Sequence, residues 1–211
     1  MKPKNTTALI MGLVSFLMAS QSYAHHVSGG EVPISFVDGL LSGLAHPVIG
    51  IDHLAFLVLM GAAAIFTPRP LLTPLAFVLS TIIGCLLVAA GIQFPGIEIG
   101  VTVSVVVGGI MVLSGRKYSS ALYVGLFSAA GVLHGGAYGA AIIGAQMQPL
   151  FAYLIGFACI QYTISVGVGM LMTRAWANQT VTSVHPRLAG ALAAGIGVAL
   201  LIENIEAALV L

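Results

Sequence analysis

Short breaks divide this chain into apolar runs of roughly twenty residues, the length a helix needs to cross the hydrocarbon core of a bilayer. Hardly a charge falls inside any of these runs. They cover roughly 47–66, 71–92, 97–115, 119–144, 149–173 and 187–210. Between them stand Thr67-Pro68-Arg69-Pro70, Gln93-Phe94-Pro95-Gly96, Arg116-Lys117, Gln146-Met147-Gln148-Pro149, and the stretch from Arg174 to Pro186. The pattern predicts an all-α integral membrane protein with about six transmembrane helices. A further stretch, Val37 to Ala45, is too short to cross alone and reads as an interfacial or re-entrant helix before the first span.

The scarcity of charge decides what the chain is not. Only 6% of the 211 residues are Asp, Glu, Lys or Arg, against about 25% in a soluble domain whose surface must be wetted. A cytosolic enzyme is excluded, and so is a nucleic-acid binder, since no basic run exists to grip phosphates. Cys85 and Cys159 both fall in apolar runs and read as small buried hydrophobes. No G-x-x-x-x-G-K-[ST] motif is present, so the chain has no P-loop for ATP, and no ATPase partner is evident.

The N-terminus has the marks of a cleaved secretory signal over residues 1–24. Lys2 and Lys4 precede an apolar core from Ala8 to Ala19, and Ser22-Tyr23-Ala24 supplies a small-x-small cleavage site. The mature chain, 25–211, would then be one polytopic domain beginning outside the cytoplasm at His25-His26. Alternating spans place Arg69, Arg116, Lys117, Arg174 and Arg187 on the cytoplasmic side, as the positive-inside rule requires. Glu31, Asp38, Glu98, Glu203 and Glu206 fall at or near the outer face, and so does the C-terminus. Gly131, Gly135 and Gly139, like Gly190 and Ala194, repeat at intervals of four and predict close helix packing.

Chemistry is concentrated in His46-Pro47-Val48-Ile49-Gly50-Ile51-Asp52-His53. Pro47 suits the first position of a helix, with His46 capping the outer end of the first span. Asp52 and His53 would then lie roughly 8–9 Å in, at about 1.5 Å per residue. In a regular helix His46 and His53, seven residues apart, share a face. An intramembrane carboxylate or imidazole is a functional hypothesis by default; the alternative is structural pairing between helices. Two imidazoles and a carboxylate suit a borderline divalent ion such as nickel, cobalt or zinc. In the fourth span, His134 sits at mid-membrane, somewhat deeper than Asp52 and His53, with Tyr138 one turn on along the same face. Weaker candidates are Gln161, which reads as a polar lining or as interhelical glue, and His25 and His26, which could capture metal beside a free amine or form a loose tail.

H-P-x-x-G-x-D-H resembles the signature of the HupE/UreJ family, the hydrogenase and urease accessory permeases. The resemblance implies a small bacterial inner-membrane protein that takes up nickel or cobalt, with His46, Asp52 and His53 carried over from the first motif and no resident cofactor. A second family motif, roughly F-H-G-x-A-H-G-x-E, is matched in part. His134, Gly135, Ala137 and Gly139 agree, while Leu133, Tyr138 and Ala141 replace the phenylalanine, the second histidine and the glutamate. The expected function is therefore a secondary permease for a divalent transition-metal ion, not an enzyme. The alternatives are an intramembrane zinc-dependent hydrolase and a non-transporting membrane accessory protein.

Overall fold

A computed structural model describes residues 32–176 and 178–210. Residues 1–24, expected to be a signal peptide, and His25, His26 and Glu31 lie outside the described residues. Among those described, seven helices and no strand are found: α1 Phe36–Ile49, α2 Ile51–Ala64, α3 Thr73–Ala89, α4 Ile97–Leu113, α5 Ser120–Ala140, α6 Met147–Ala175 and α7 Val184–Val210. α5, α6 and α7 are long and apolar enough to cross a bilayer alone, while α3 and α4 are shorter apolar helices of 17 residues. The perimeter is apolar: Leu79, Ile83, Val107, Ile155, Leu171 and Leu192 are all exposed. So much exposed hydrocarbon marks a surface wetted by lipid, and the fold is that of a multi-pass helical membrane protein.

The first span departs from expectation. Pro47 does not open it; α1 runs on through Pro47 to Ile49, and a new helix starts at Ile51. The two helices meet at an angle of 77°. Pro47 lacks the N–H that would tie it back to Gly43, which weakens the last turn of α1. Gly50 then takes an extended conformation at φ −70°, ψ 109°. Its N–H still donates to the His46 carbonyl at 3.1 Å, and its own carbonyl accepts from Leu54 N–H at 2.9 Å. The chain therefore changes direction at Gly50 while that residue keeps both of its backbone hydrogen bonds.

Both halves of this broken element run beside α6 in the same direction. Gly39 and Gly43 of α1 press on the carbonyls of Pro149 and Tyr153, and Gly61 of α2 presses on that of Ser165. α2 is the centre of the bundle. Phe56, Leu57, Met60 and Ala62 are fully buried, and nearly every residue from Ala55 to Ala64 is out of contact with the surroundings. A helix apolar on all sides must be enclosed by others. Phe56 stacks on Phe77 of α3 with centroids 5.0 Å apart, and Leu59 faces Gly108 of α4. Ala62 clusters with Met172 of α6 and Ala189 of α7.

Two tight pairs brace this centre. α3 and α5 run parallel, with Gly131, Gly135 and Gly139 against Phe77, Thr81 and Cys85. α4 and α7 run antiparallel, with Gly109 against Gly190 and Ala194. The glycine spacing is thus used for backbone contact, as small residues are in lipid. Cys85 is buried there, but Cys159 is exposed on the perimeter, contrary to its expected burial. Its place on α6 faces away from the bundle.

The alternation of directions sorts the charges. Arg187 Nε donates to the Leu113 carbonyl at 2.9 Å, joining the 114–119 turn to the start of α7. At the opposite end Asn204 Nδ2 donates to the Glu98 carbonyl at 3.5 Å. Arg69, Arg116, Lys117, Arg174 and Arg187 consequently gather at one end of the bundle. Asp38, Glu98, Glu203 and Glu206 gather at the other.

A methyl group at Gly135 would overlap the Thr81 carbonyl, whereas one at Gly125 meets nothing within 4 Å. Gly135→Ala is expected to destabilise the protein by at least about 1–3 kcal/mol through overpacking. Gly125→Ala is expected to be neutral. Thermal unfolding in detergent, followed by loss of the monodisperse gel-filtration peak, separates the two.

Candidate metal centre

The N-terminus of α2 opens inside the bundle and carries Asp52 in its first turn. A carboxylate is favoured there, because the unsatisfied N–H groups of a helix start act as partial positive charge. Asp52 Oδ1 accepts from the His53 N–H at 2.8 Å, and His53 Nδ1 lies 3.9 Å from the same oxygen. Glycine at position 50 is a steric requirement of this arrangement. A Cβ there would stand 2.5 Å from His53 Cδ2 and 3.2 Å from Asp52 Oδ1. The break and the two side chains that fold over it occupy one space.

His53 is met from α5 by His134, Nδ1 to Nδ1 at 2.8 Å. His134 Nε2 lies 2.9 Å from Ser104 Oγ on α4, and Ser104 donates to the Val101 carbonyl at 2.7 Å. Both histidine rings are buried. His46, in the last turn of α1, lies with its ring centroid 6.0 Å from that of His53. Its Nδ1 is 2.9 Å from the Tyr153 hydroxyl of α6, which donates to the Tyr138 carbonyl at 3.1 Å. Tyr138 fills the space between: its ring is 4.3 Å from His53 and 5.1 Å from His46. Its hydroxyl is fully buried and has no hydrogen-bond partner among the described residues.

The structure thus gathers His46, Asp52, His53, His134 and Tyr138 from α1, α2 and α5 into one buried cluster. Two geometric expectations change. His46 and His53 share no helix face, since a 77° bend separates them; they approach each other across the break. His134 is not deeper than His53 but in contact with it. The reason is that α1 takes up the outer part of the first crossing, so Asp52 and His53, which follow the break, start lower. Both ring nitrogens of His134 already have side-chain partners. Among the described residues, no group of three or more His, Cys, Asp or Glu is arranged as a ready metal cage. What the cluster offers is two imidazoles, one carboxylate and an unpartnered phenol.

Gln161 lies apart from this group, on α6. Its amide oxygen accepts from the Thr81 hydroxyl at 3.0 Å, tying α6 to α3, and its Nε2 is buried without a partner among the described residues. The glue reading describes its contact with Thr81. His185, which no motif singled out, stacks on Trp176 at 4.0 Å at the basic end, far along the chain from the cluster. Ser104 and Tyr153 are the participants that sequence reasoning missed. Ser104 is one hydroxyl in an apolar helix and Tyr153 one ring in another, so neither stands out until the helices are packed together.

Comparison with known proteins bears on the same residues. A family model described as HupE / UreJ protein matches residues 13–200. Protein HupE of Rhizobium leguminosarum bv. viciae is 29% identical over 169 residues, covering 78% of this chain and 85% of that protein. No solved structure matches.

An unpartnered buried hydroxyl costs about 1–3 kcal/mol in desolvation. Tyr138→Phe removes that cost while keeping the ring against His46 and His53. The variant is expected to unfold at the same temperature as the wild type or a higher one. A lower unfolding temperature would mean that the hydroxyl is bonded after all.

Proposed function

The chain belongs to the HupE/UreJ family, and from that premise we propose that it is a secondary permease carrying nickel or cobalt ions into the cell across the bacterial inner membrane. The observation that carries this reading is the meeting of His46, Asp52 and His53 at the Gly50 break, beside the unpartnered Tyr138 hydroxyl. Imidazole nitrogens with one carboxylate suit borderline divalent ions better than magnesium or calcium, which prefer all-oxygen sites. Discontinuous helices are also a recurrent way to put ion-binding groups at mid-membrane, because irregular backbone survives there only where it is enclosed or lines a cavity.

The ligand set is short by design of the fold. His134 is bonded through both ring nitrogens, and in this reading His46, His53 and Asp52 are the residues that meet the ion. A carried ion must enter readily and leave again, which favours weak, exchangeable coordination over a closed tetrahedral cage. Tyr138, standing where the family motif has a histidine, keeps the site weaker still, since a neutral phenol is a poor ligand for nickel. In this reading the acidic end, with Asp38, Glu98, Glu203 and Glu206, faces outward and concentrates cations. The basic end faces the cytoplasm.

With no nucleotide motif in the chain, the work is done by gradients. Moving a dication inward along an inside-negative potential is favourable by about 4.6 kcal/mol per 100 mV, twice the single-charge value. At about 1.4 kcal/mol per tenfold, that supports accumulation by roughly three orders of magnitude.

Labelled nickel and cobalt are supplied to cells that lack their own importers and carry this chain. Uptake well above background is expected for at least one ion, and Asp52→Ala or His53→Ala should reduce it to background at matched membrane abundance. Collapse of the membrane potential should lower the wild-type uptake as well. Folded wild-type protein that transports neither ion would end the permease reading; stoichiometric, tightly held zinc in that protein would redirect attention to hydrolysis.

A further inference from the structure

One face of α6 is buried along most of its length, and it carries Tyr153, Phe157, Gln161, Ser165 and Gly169 at intervals of four. Toward the acidic end this face lies against α1, where Gly43 meets the Tyr153 carbonyl. Toward the basic end it lies against α2, where Gly61 meets the Ser165 carbonyl. Phe157 packs on Tyr138 and on Tyr153, with centroids 5.5 Å apart in each pair, so the face begins in the histidine cluster. Gln161 follows, about 12 Å along the axis from Tyr153 at 1.5 Å per residue. Ser165 Oγ donates to the Gln161 backbone carbonyl at 2.9 Å. Ser165 also lines a cavity of about 230 Å³ with Gly61, Gly169 and Thr173, which reaches Pro70 and Leu71 beside Arg69 at the basic end.

Thr81 decides which way the Gln161 amide is turned. Its hydroxyl has one proton, and two oxygens stand within reach of it: the Val78 carbonyl at 2.7 Å and the Gln161 amide oxygen at 3.0 Å. The carbonyl can only accept and is the closer, and a Thr hydroxyl that bonds back to its own helix is a common arrangement. With its proton committed to Val78, Thr81 Oγ needs a donor from Gln161, and the other arm of the amide is one. A half-turn about the last side-chain bond exchanges the two arms and keeps the shape of the group. Nε2–H then donates to Thr81, and Oε1 takes the buried position that has no hydrogen-bond partner among the described residues. A buried oxygen without a donor is costly, and it is also what a cation binds.

We propose that the Gln161 amide oxygen is a second station for the carried cation, between the histidine cluster and the basic end, with Ser165 and the cavity beyond it as the way out; the cation itself is taken from the transport reading above. A carbonyl oxygen is a harder and weaker donor to nickel or cobalt than an imidazole nitrogen. The ion therefore steps from a site with nitrogen ligands to one that holds it less, and binding at several weak sites is what lets an ion leave. α6 carries no Asp or Glu, so no charge on this face traps a dication on its way. Gly61 and Gly169 stand against each other just beyond the station and keep side chains out of the seam between α2 and α6.

Full-length protein is purified in detergent for nickel binding and reconstituted for uptake into vesicles that hold a nickel-sensitive dye. Gln161→Leu keeps the bulk of the side chain and removes the oxygen. It should lower the maximal uptake rate by roughly tenfold or more while the half-saturating concentration stays within about threefold, the pattern of a later step lost with the first binding site intact. Gln161→Glu puts a carboxylate at the station, and affinity rises with ligand charge. Nickel affinity in detergent should rise by roughly tenfold or more, and the gain should persist in an Asp52→Ala background, where the carboxylate of the cluster is gone. A residue that only ties α6 to α3 would shift the unfolding temperature and leave affinity unmoved. If Gln161→Leu does not fold, Gln161→Asn, with the amide on a shorter stem, takes its place with the same expectation. Uptake at the wild-type rate in the folded variant, no gain in nickel affinity in Gln161→Glu, or loss of folded protein in all three variants would overturn the proposal. Wild-type protein that takes up neither ion, beside a Gln161→Glu variant that gains nickel affinity, would uphold the site and defeat the transport reading instead.

Discussion

Gly50 interrupts a helix inside a bilayer, where no water can satisfy the N–H and C=O groups that an interruption exposes. The other helices are placed so that Gly50 itself is buried, while Val48 and Ile49 beside it stay exposed. α2, which begins just after it, is ringed by α3, α4, α5, α6 and α7, and α1 is held against α6 by glycine contacts on backbone carbonyls. An unbroken span would need none of that enclosure. The glycine-lined seams between α3 and α5 and between α4 and α7 bring the outer helices close enough to seal a centre only one helix thick.

Enclosure also sets the terms for the polar residues. A buried polar group is expensive unless hydrogen-bonded, and several of those here are bonded to partners on other helices. Ser104 reaches His134, His134 reaches His53, Tyr153 reaches His46, and Thr81 reaches Gln161. The polar cluster is therefore a set of ties between α1, α2, α4, α5 and α6, as well as a place where an ion can be held. The Tyr138 hydroxyl breaks this rule, and it does so at the point where the two histidines come together.

Much of this architecture can be read from the residues, and what cannot has an identifiable cause. Apolar runs and their breakers mark out the helices, because lipid enforces a minimum length. Intervals of four between glycines mark the seams, because small residues are what close packing uses there. His46, Asp52, His53 and His134 stand out as ionisable groups in hydrocarbon. Pro47 is where the reading went astray. A proline suits the start of a helix, and nothing local tells the start of one helix from the last turn of another. The difference lies in α6, a hundred residues away, whose Pro149 and Tyr153 carbonyls receive Gly39 and Gly43 and so draw α1 into register ahead of the break. Ser104 and Tyr153 escaped for the same reason: their partners are fixed by packing between helices, which no spacing within one helix reveals.

The central position of α2 has a consequence for how the chain is made. At 14 residues, α2 extends only about 21 Å at 1.5 Å per residue, short of the roughly 30 Å hydrocarbon core. It leaves the ribosome among the earliest elements, bearing Asp52 and His53. The partners that quench them are synthesised much later: Ser104, then His134, and finally the Tyr153 that anchors His46. Until the sixth helix is complete, the future heart of the bundle is its least finished part. The order of synthesis thus runs from the inside outward, and the last helices to be inserted must close around the first.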